Sequence, residues 1–249
     1  MQLLLTGGSG RLGKAIQNSG LFQNLLTPSS SELNICDPQS TASYFSNHHI
    51  GAVIHTAALA RLVKSELAPE EAIQKNIIGT ANVINSILEQ RGQGKDIRMI
   101  HISTDGVYES TEGNYSEVSP TLPQTRYGWS KLGAECSVNM LKTNFCIIRT
   151  RFFDPLEIPF DTAASDLYTS KITVKDLVKH IKLLLDSNFS GTVNVGGARQ
   201  SDYDSFKPFK AGIKVCSVKD IAKEVPFIPA TDASMNTSRF QKILNKTKV

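Results

Sequence analysis

Residues 2–13 read Gln2-Leu3-Leu4-Leu5-Thr6-Gly7-Gly8-Ser9-Gly10-Arg11-Leu12-Gly13, and this stretch decides the fold. Leu3 to Thr6 is an apolar run of strand length, the glycines form a turn, and Lys14-Ala15-Ile16 continues as a helix. Passing from strand through glycine turn to helix gathers free N–H groups and the positive end of a helix dipole at one point, which suits an anion. The spacing Gly7-x-x-Gly10-x-x-Gly13 supplies a residue for positive φ, one for close backbone approach to a pyrophosphate and one for packing helix on strand. A dinucleotide fits such a turn; a plain glycine-rich connection is the alternative reading.

Working outward, strands are expected at 2–6, 21–27, 52–55, 98–103, 145–149 and 191–195, and helices at 11–19, 38–46, 69–90, 125–141 and 174–186. Asp37 and Thr173 stand where N-caps belong. Strands alternating with helices imply right-handed crossovers and a parallel sheet, so the expected fold is α/β, a Rossmann-type doubly wound sheet with a smaller C-terminal lobe for substrate. Residues 1–151, rejoined by 171–196, are assigned to the dinucleotide-binding domain, and 152–170 with 197–249 to the lobe, where the periodicity loosens.

Composition agrees. A chain of 249 residues with 40% hydrophobic and 20% charged residues describes a globular protein able to bury a large core. The net charge of +4, without basic runs or aromatic ladders, gives no reason to expect nucleic acid and suits small anionic ligands. Cys36, Cys136, Cys146 and Cys216 form neither Cys-x-x-Cys pairs nor a cluster with histidine, so no metal site and no disulfide framework is expected. No apolar stretch approaches membrane-spanning length and no leader precedes the first strand, so a cytoplasmic setting without a membrane partner is expected.

A second string, Tyr127-Gly128-Trp129-Ser130-Lys131, lies in a proline-free segment of helical length. Residues four apart share a helix face, so Tyr127 and Lys131 point the same way. An ammonium near a phenol makes the phenol a usable proton donor. Ser103-Thr104 ends the apolar strand 97–102, where an α/β sheet presents ligand-facing residues.

These pieces in this order resemble the extended branch of the short-chain dehydrogenase/reductase superfamily, which acts on nucleotide sugars. Val53-Ile54-His55-Thr56-Ala57-Ala58 and Asn76-Ile77-Ile78-Gly79-Thr80 are similar to further motifs of that branch. Four strings resemble its dTDP-4-dehydrorhamnose reductase family: Glu32-Leu33-Asn34-Ile35-Cys36-Asp37-Pro38, Ser103-Thr104-Asp105-Gly106-Val107-Tyr108, Arg149-Thr150-Arg151-Phe152 and Met235-Asn236-Thr237-Ser238-Arg239-Phe240. The resemblance implies that Thr104 orients a substrate carbonyl, Tyr127 donates the proton, and Lys131 lowers the tyrosine pKa and holds the nicotinamide ribose. It implies that Gly7, Gly10, Arg11 and Leu12 line the pyrophosphate, Asn34 and Ile35 the adenine, and Ala57 and Ala58 the nicotinamide side. Asp105 and Phe152 would face the sugar. Asn34 and His55 depart from the family's usual Asp and Asn, and Pro229-Ala230-Thr231-Asp232 replaces its Arg-Pro pair; either Arg151, Arg199 or Lys207 would then grip the diphosphate, or the base and diphosphate would be bound differently.

In the turn 27–31, Thr27-Pro28-Ser29-Ser30-Ser31, no acid stands at the place that favours NAD, and Ser29 and Ser30 can donate to a 2′-phosphate. The cofactor expected is NADPH, with NADH as the alternative. The implied activity is reduction of the 4-keto group of a nucleotide-linked 4-keto-6-deoxyhexose, in a dTDP-rhamnose and polysaccharide-building context. Alternatives are a reductase or epimerase of another nucleotide sugar, and a catalytically silent regulatory subunit. A homodimer is compatible with this reading.

Overall fold

The computed structural model describes residues 1–246. Its central sheet contains β1 (Gln2–Thr6), β2 (Leu25–Leu26), β3 (Ile50–His55), β4 (Arg98–Thr104), β5 (Phe145–Thr150) and β6 (Gly191–Val195) in the spatial order β6-β5-β4-β3-β1-β2. Every pairing is parallel. The chain leaves β1 toward β2 on one side and returns through β3 on the other. This reversal opens a crevice beyond the carboxyl ends of β1 and β3, where ligands of open α/β sheets bind.

Alternation along the strands feeds two apolar layers. Leu4, Val53, Met99 and Ile147 face α2 (Pro38–Asn47), α5 (Gly79–Gly92) and α6 (Arg126–Asn139), meeting Phe45, Val83, Ile87 and Val138. Leu5, Ile54, Ile100 and Ile148 face α1 (Arg11–Asn18) and α7 (Val174–Asp186), meeting Ile16, Leu177 and Ile181. With both faces covered, the strands can be apolar throughout. Beyond the sheet, two-residue strands at Phe152–Phe153 and Ile172–Thr173 pair in parallel, and α8 (Asp202–Phe206) packs near residues 162–164.

Thr173 Oγ1 caps α7 by accepting from the Asp176 amide, and Asp37 caps α2 by accepting from the Gln39 amide. The second strand is shorter than expected: only Leu25 and Leu26 pair with β1, because Gly20 and Asn24 adopt positive φ, 68° and 51°, and turn the chain before it can extend. After α3 (Leu62–Leu67), the helix expected over 69–90 is instead α4 (Pro69–Ala72), a π-helical turn (Ile73–Ile78) and α5. Among the described residues, no helix is long and apolar enough to cross a membrane.

Candidate active site

The glycine turn closes the crevice on one side. Gly7 has φ +78°, and a Cβ there would lie 2.5 Å from the Ala57 amide nitrogen; a Cβ on Gly13 would lie 2.3 Å from the Gly7 carbonyl oxygen. These two glycines press α1 and the strand-end loop Ala57-Ala58 against the turn. Gly10 is different, with only the Gly7 oxygen near its Cβ position, at 3.3 Å. As N-cap of α1 it has no side-chain cap, so the first amides of the helix keep no partner within it. Space at Gly10 and unfilled donors beside it form a cradle that fits a pyrophosphate. Leu12 contributes only its backbone here, since its side chain is in the core. Arg11 is exposed and reaches Glu157 at 3.8 Å.

At the far end of the crevice, the turn 27–31 carries no acid of its own, but Glu32 follows it directly. Glu32 folds back so that its carboxylate accepts from the Ser29 amide and the Ser29 hydroxyl, both at 2.8 Å. The Ser29 hydroxyl is therefore engaged, and Ser30 remains exposed. Asn34 Oδ1 accepts from the Cys36 amide at 3.1 Å, and Ile35 packs against Gly79.

The opposite wall is α6. Thr125 caps it by accepting from the Gly128 amide at 3.1 Å, and Gly128 sits so close to the turn after β4 that a Cβ would lie 2.2 Å from the Gly106 oxygen. That contact brings Tyr127, half-buried, to Thr104 at the end of β4. Burial and the Asp105 carboxylate push the Tyr127 phenol up to about 12, while Arg151 and a hydrogen bond with Thr104 pull it down. One turn along, Lys131 is buried; desolvation pushes its ammonium down to about 8, against the pull of Glu135. Lys131 Nζ lies 3.3 Å from His101 Nε2. His101 is fully buried, stacks on His55 at 5.5 Å, and is held neutral by burial and by Lys131. His55 is also buried and pushed down to about 3, bridging Thr6 Oγ1 at 2.6 Å and Thr80 Oγ1 at 3.0 Å.

The π-helical turn has a visible purpose. It aims Asn76 so that Oδ1 accepts from the Leu59 amide at 2.7 Å while Nδ2 donates to the Leu59 oxygen at 3.2 Å and to Ser130 Oγ at 2.8 Å. One side chain thus joins the Ala57-Ala58 loop to α6 and fixes the width of the crevice. Lys131 also shares its helix face with Glu135, which is clamped by Arg149 (Nη2 to Oε2, 2.6 Å) and accepts from Ser103 Oγ at 2.5 Å.

Several sequence assignments shift here. Asp105 is fully buried, and its carboxylate is taken by Arg151 Nε at 2.7 Å and the Thr104 hydroxyl at 3.2 Å, so it is not open to a sugar hydroxyl. Phe152 packs against the sheet core, and Phe153 is the aromatic that turns toward α8, edge-on to Phe206 at 5.3 Å. A cleft of ≈ 330 Å³ lies beside it, lined in part by Phe153, Lys171, Gln200 and Phe209. Arg151 and Arg199 are paired with Asp105 and Asp232, so neither is a free diphosphate clamp, and the exposed Lys207 lies over Tyr203. His101 and Glu135 were not singled out from sequence; an isolated polar residue within an apolar strand was the available signal for His101.

A glycine cradle at the switch point of a doubly wound sheet, facing a Tyr–Lys helix, defines an extended short-chain dehydrogenase/reductase. Within that class, the chain belongs to the RmlD substrate binding domain family, whose model matches residues 1–153. A dTDP-4-keto-6-deoxy-D-glucose reductase of Streptomyces niveus is 28% identical over 151 residues, 59% of this chain and 51% of that protein. The methionine adenosyltransferase 2 subunit beta of Mus musculus is 23% identical over 231 residues, 80% of this chain and 68% of its own length. The chain spans about half the length of the dehydratase and reductase relatives that it matches. Two solved structures share the fold, each with TM-score 0.85: a dTDP-4-dehydrorhamnose reductase from Clostridium acetobutylicum (22% identity, covering 100% of this chain and 93% of the other) and one from Bacillus anthracis in complex with NADP (21%, 98% and 93%).

Proposed function

We propose that this protein reduces the 4-keto group of a nucleotide-linked 4-keto-6-deoxyhexose with NADPH, NADH serving as the alternative donor, and that dTDP-4-dehydrorhamnose is the substrate. The observation that carries this reading is the half-buried Tyr127 one turn from the buried Lys131, facing Thr104 across from the glycine cradle. The named activity of the Streptomyces niveus relative and the NADP complex of the Bacillus anthracis structure support it. The setting proposed is cytoplasmic synthesis of activated deoxysugars for polysaccharides.

When bound, the reduced nicotinamide supplies a hydride to the carbonyl carbon. Gly7, Gly10 and the amides of Arg11 and Leu12 hold the pyrophosphate; Ala57 and Ala58 border the nicotinamide side, and Asn34 and Ile35 the adenine. Thr104 hydrogen-bonds the carbonyl oxygen, and Tyr127 gives that oxygen its proton. Lys131, cationic below about pH 8, steadies the ribose and favours the phenolate left behind. Nicotinamide absorbance decides the matter: it falls when purified protein is mixed with NADPH and dTDP-4-keto-6-deoxy-L-mannose, and not with a GDP-linked ketosugar. Turnover of the GDP sugar instead would point to the alternative of another nucleotide-sugar reductase.

Glu32 bears on the choice of donor. Its carboxylate, exposed in the turn after β2, repels a 2′-phosphate and occupies Ser29. Glu32→Gln should therefore raise the NADPH-to-NADH affinity ratio by roughly two- to fivefold, the effect expected of one exposed charge. Titration of both dinucleotides checks it, and an unchanged ratio places the 2′ group elsewhere.

The alignment along most of the methionine adenosyltransferase subunit favours a second reading, in which the chain serves as a subunit of another enzyme. Dinucleotide binding without turnover of any ketosugar would select it.

A further inference from the structure

The Thr104 hydroxyl has one proton and two neighbours that compete for it. It donates to Asp105 Oδ1 at 3.2 Å while accepting from the Gly106 amide at 3.1 Å, and the Tyr127 phenol is its other partner. A fully buried, unpaired carboxylate would hold that proton tightly and set a negative charge beside the phenol. Arg151, which follows β5 directly, prevents this: its Nε donates to Asp105 Oδ2 at 2.7 Å. Behind Arg151 stands Asp202, which pairs with Lys171 at 2.5 Å. Charges therefore alternate from Lys171 through Asp202 and Arg151 to Asp105, and the set is neutral where it meets the site.

We propose that Arg151 is a positioning residue for the proton-transfer step, engaging Asp105 so that the Thr104 hydroxyl is released to the substrate carbonyl and the buried carboxylate is neutralised beside Tyr127. The inference rests on the reading of Tyr127 as proton donor. It assigns Arg151 a role other than gripping sugar or diphosphate. The charged groups around Tyr127 fix the sign of the effect. Asp105 and Arg151 face it from the strand ends, Lys131 lies one turn along α6, Asp202 and Lys171 stand behind Arg151, and the Arg126–Glu66 pair flanks the start of α6. Removing only the Arg151 cation leaves Asp105 unopposed, which makes the phenol a weaker acid.

The test compares wild type, Tyr127→Phe, Arg151→Gln, Arg151→Lys and the double variant Arg151→Gln/Asp105→Asn, measuring NADPH oxidation by ketosugar across pH and NADPH binding. Arg151→Gln should lose about tenfold in kcat, with KM and NADPH affinity within about twofold. Arg151→Lys should recover part of the loss, and the double variant most of it, because both members of the pair are then neutral. A raised KM at unchanged kcat, or a double variant no better than Arg151→Gln, overturns the proposal, since either marks a direct substrate contact. If Tyr127→Phe keeps its turnover, the reading beneath the proposal fails as well; if Tyr127→Phe is dead and Arg151→Gln is unimpaired, the proposal fails alone.

Discussion

Tyr127→Phe should lower kcat for ketosugar reduction by about a hundredfold to ten-thousandfold, the range that a positioned general acid contributes. The phenyl ring keeps the same volume and packing, so folding and NADPH affinity should stay near wild type. The expected loss is large because the remaining hydroxyl, Thr104, is an aliphatic alcohol, a far weaker acid than a phenol, and it lies beside the Asp105 carboxylate. Stopped-flow decay of nicotinamide absorbance measures the step directly. A variant within about tenfold of wild type would mean that the proton comes from elsewhere.

Arg149→Met should be the most damaging single change to stability, by about 3–5 kcal/mol. Arg149 holds Glu135 through Nε and Nη2, donates to the Tyr108 hydroxyl at 2.9 Å, and both members of the ion pair are buried. Methionine fills much of the space but leaves Glu135 charged, buried and without its counterion. Of its other partners, Ser103 can donate one hydrogen bond, and Tyr108 loses a donor of its own. For a protein of this size the loss corresponds to a fall in Tm of roughly 6–20 °C. Differential scanning calorimetry tests it, and a Tm within about 2 °C of wild type would show that the buried pair contributes little to stability. Glu135 also shares a helix face with Lys131, so the variant should alter the pH dependence of turnover together with the melting temperature.

What could be read from the chain was local. The strand–glycine–helix opening, the Thr173 cap and the placing of Tyr127 and Lys131 on one helix each depend on residues within a turn or two of one another, and the folded chain keeps them as expected. The π-helical turn was not legible. Ile73, Ile77 and Ile78 continue a helical pattern, and what reshapes the turn is Asn76 reaching Leu59 and Ser130, partners 17 and 54 positions away. The Arg151–Asp105 pair was hidden for the same reason, its members being 46 positions apart. Arg151 was noted as a spare cation for a diphosphate, because a free arginine and a paired one look alike in sequence. Phe152 and Phe153 show the limit of strand alternation: one of two adjacent aromatics faces the core, and only the fold decides which.

The contact between Gly128 and the Gly106 carbonyl has a bearing on how this scaffold can change over time. The distance from the start of α6 to the turn after β4 is set by two main chains in touch, with the Pro123 side chain beside them. Under the proposed function, drift in the loops of the smaller lobe can then explore new substrates while Tyr127 and Thr104 keep their gauge. A substitution at Gly128 itself would disturb every such substrate at once.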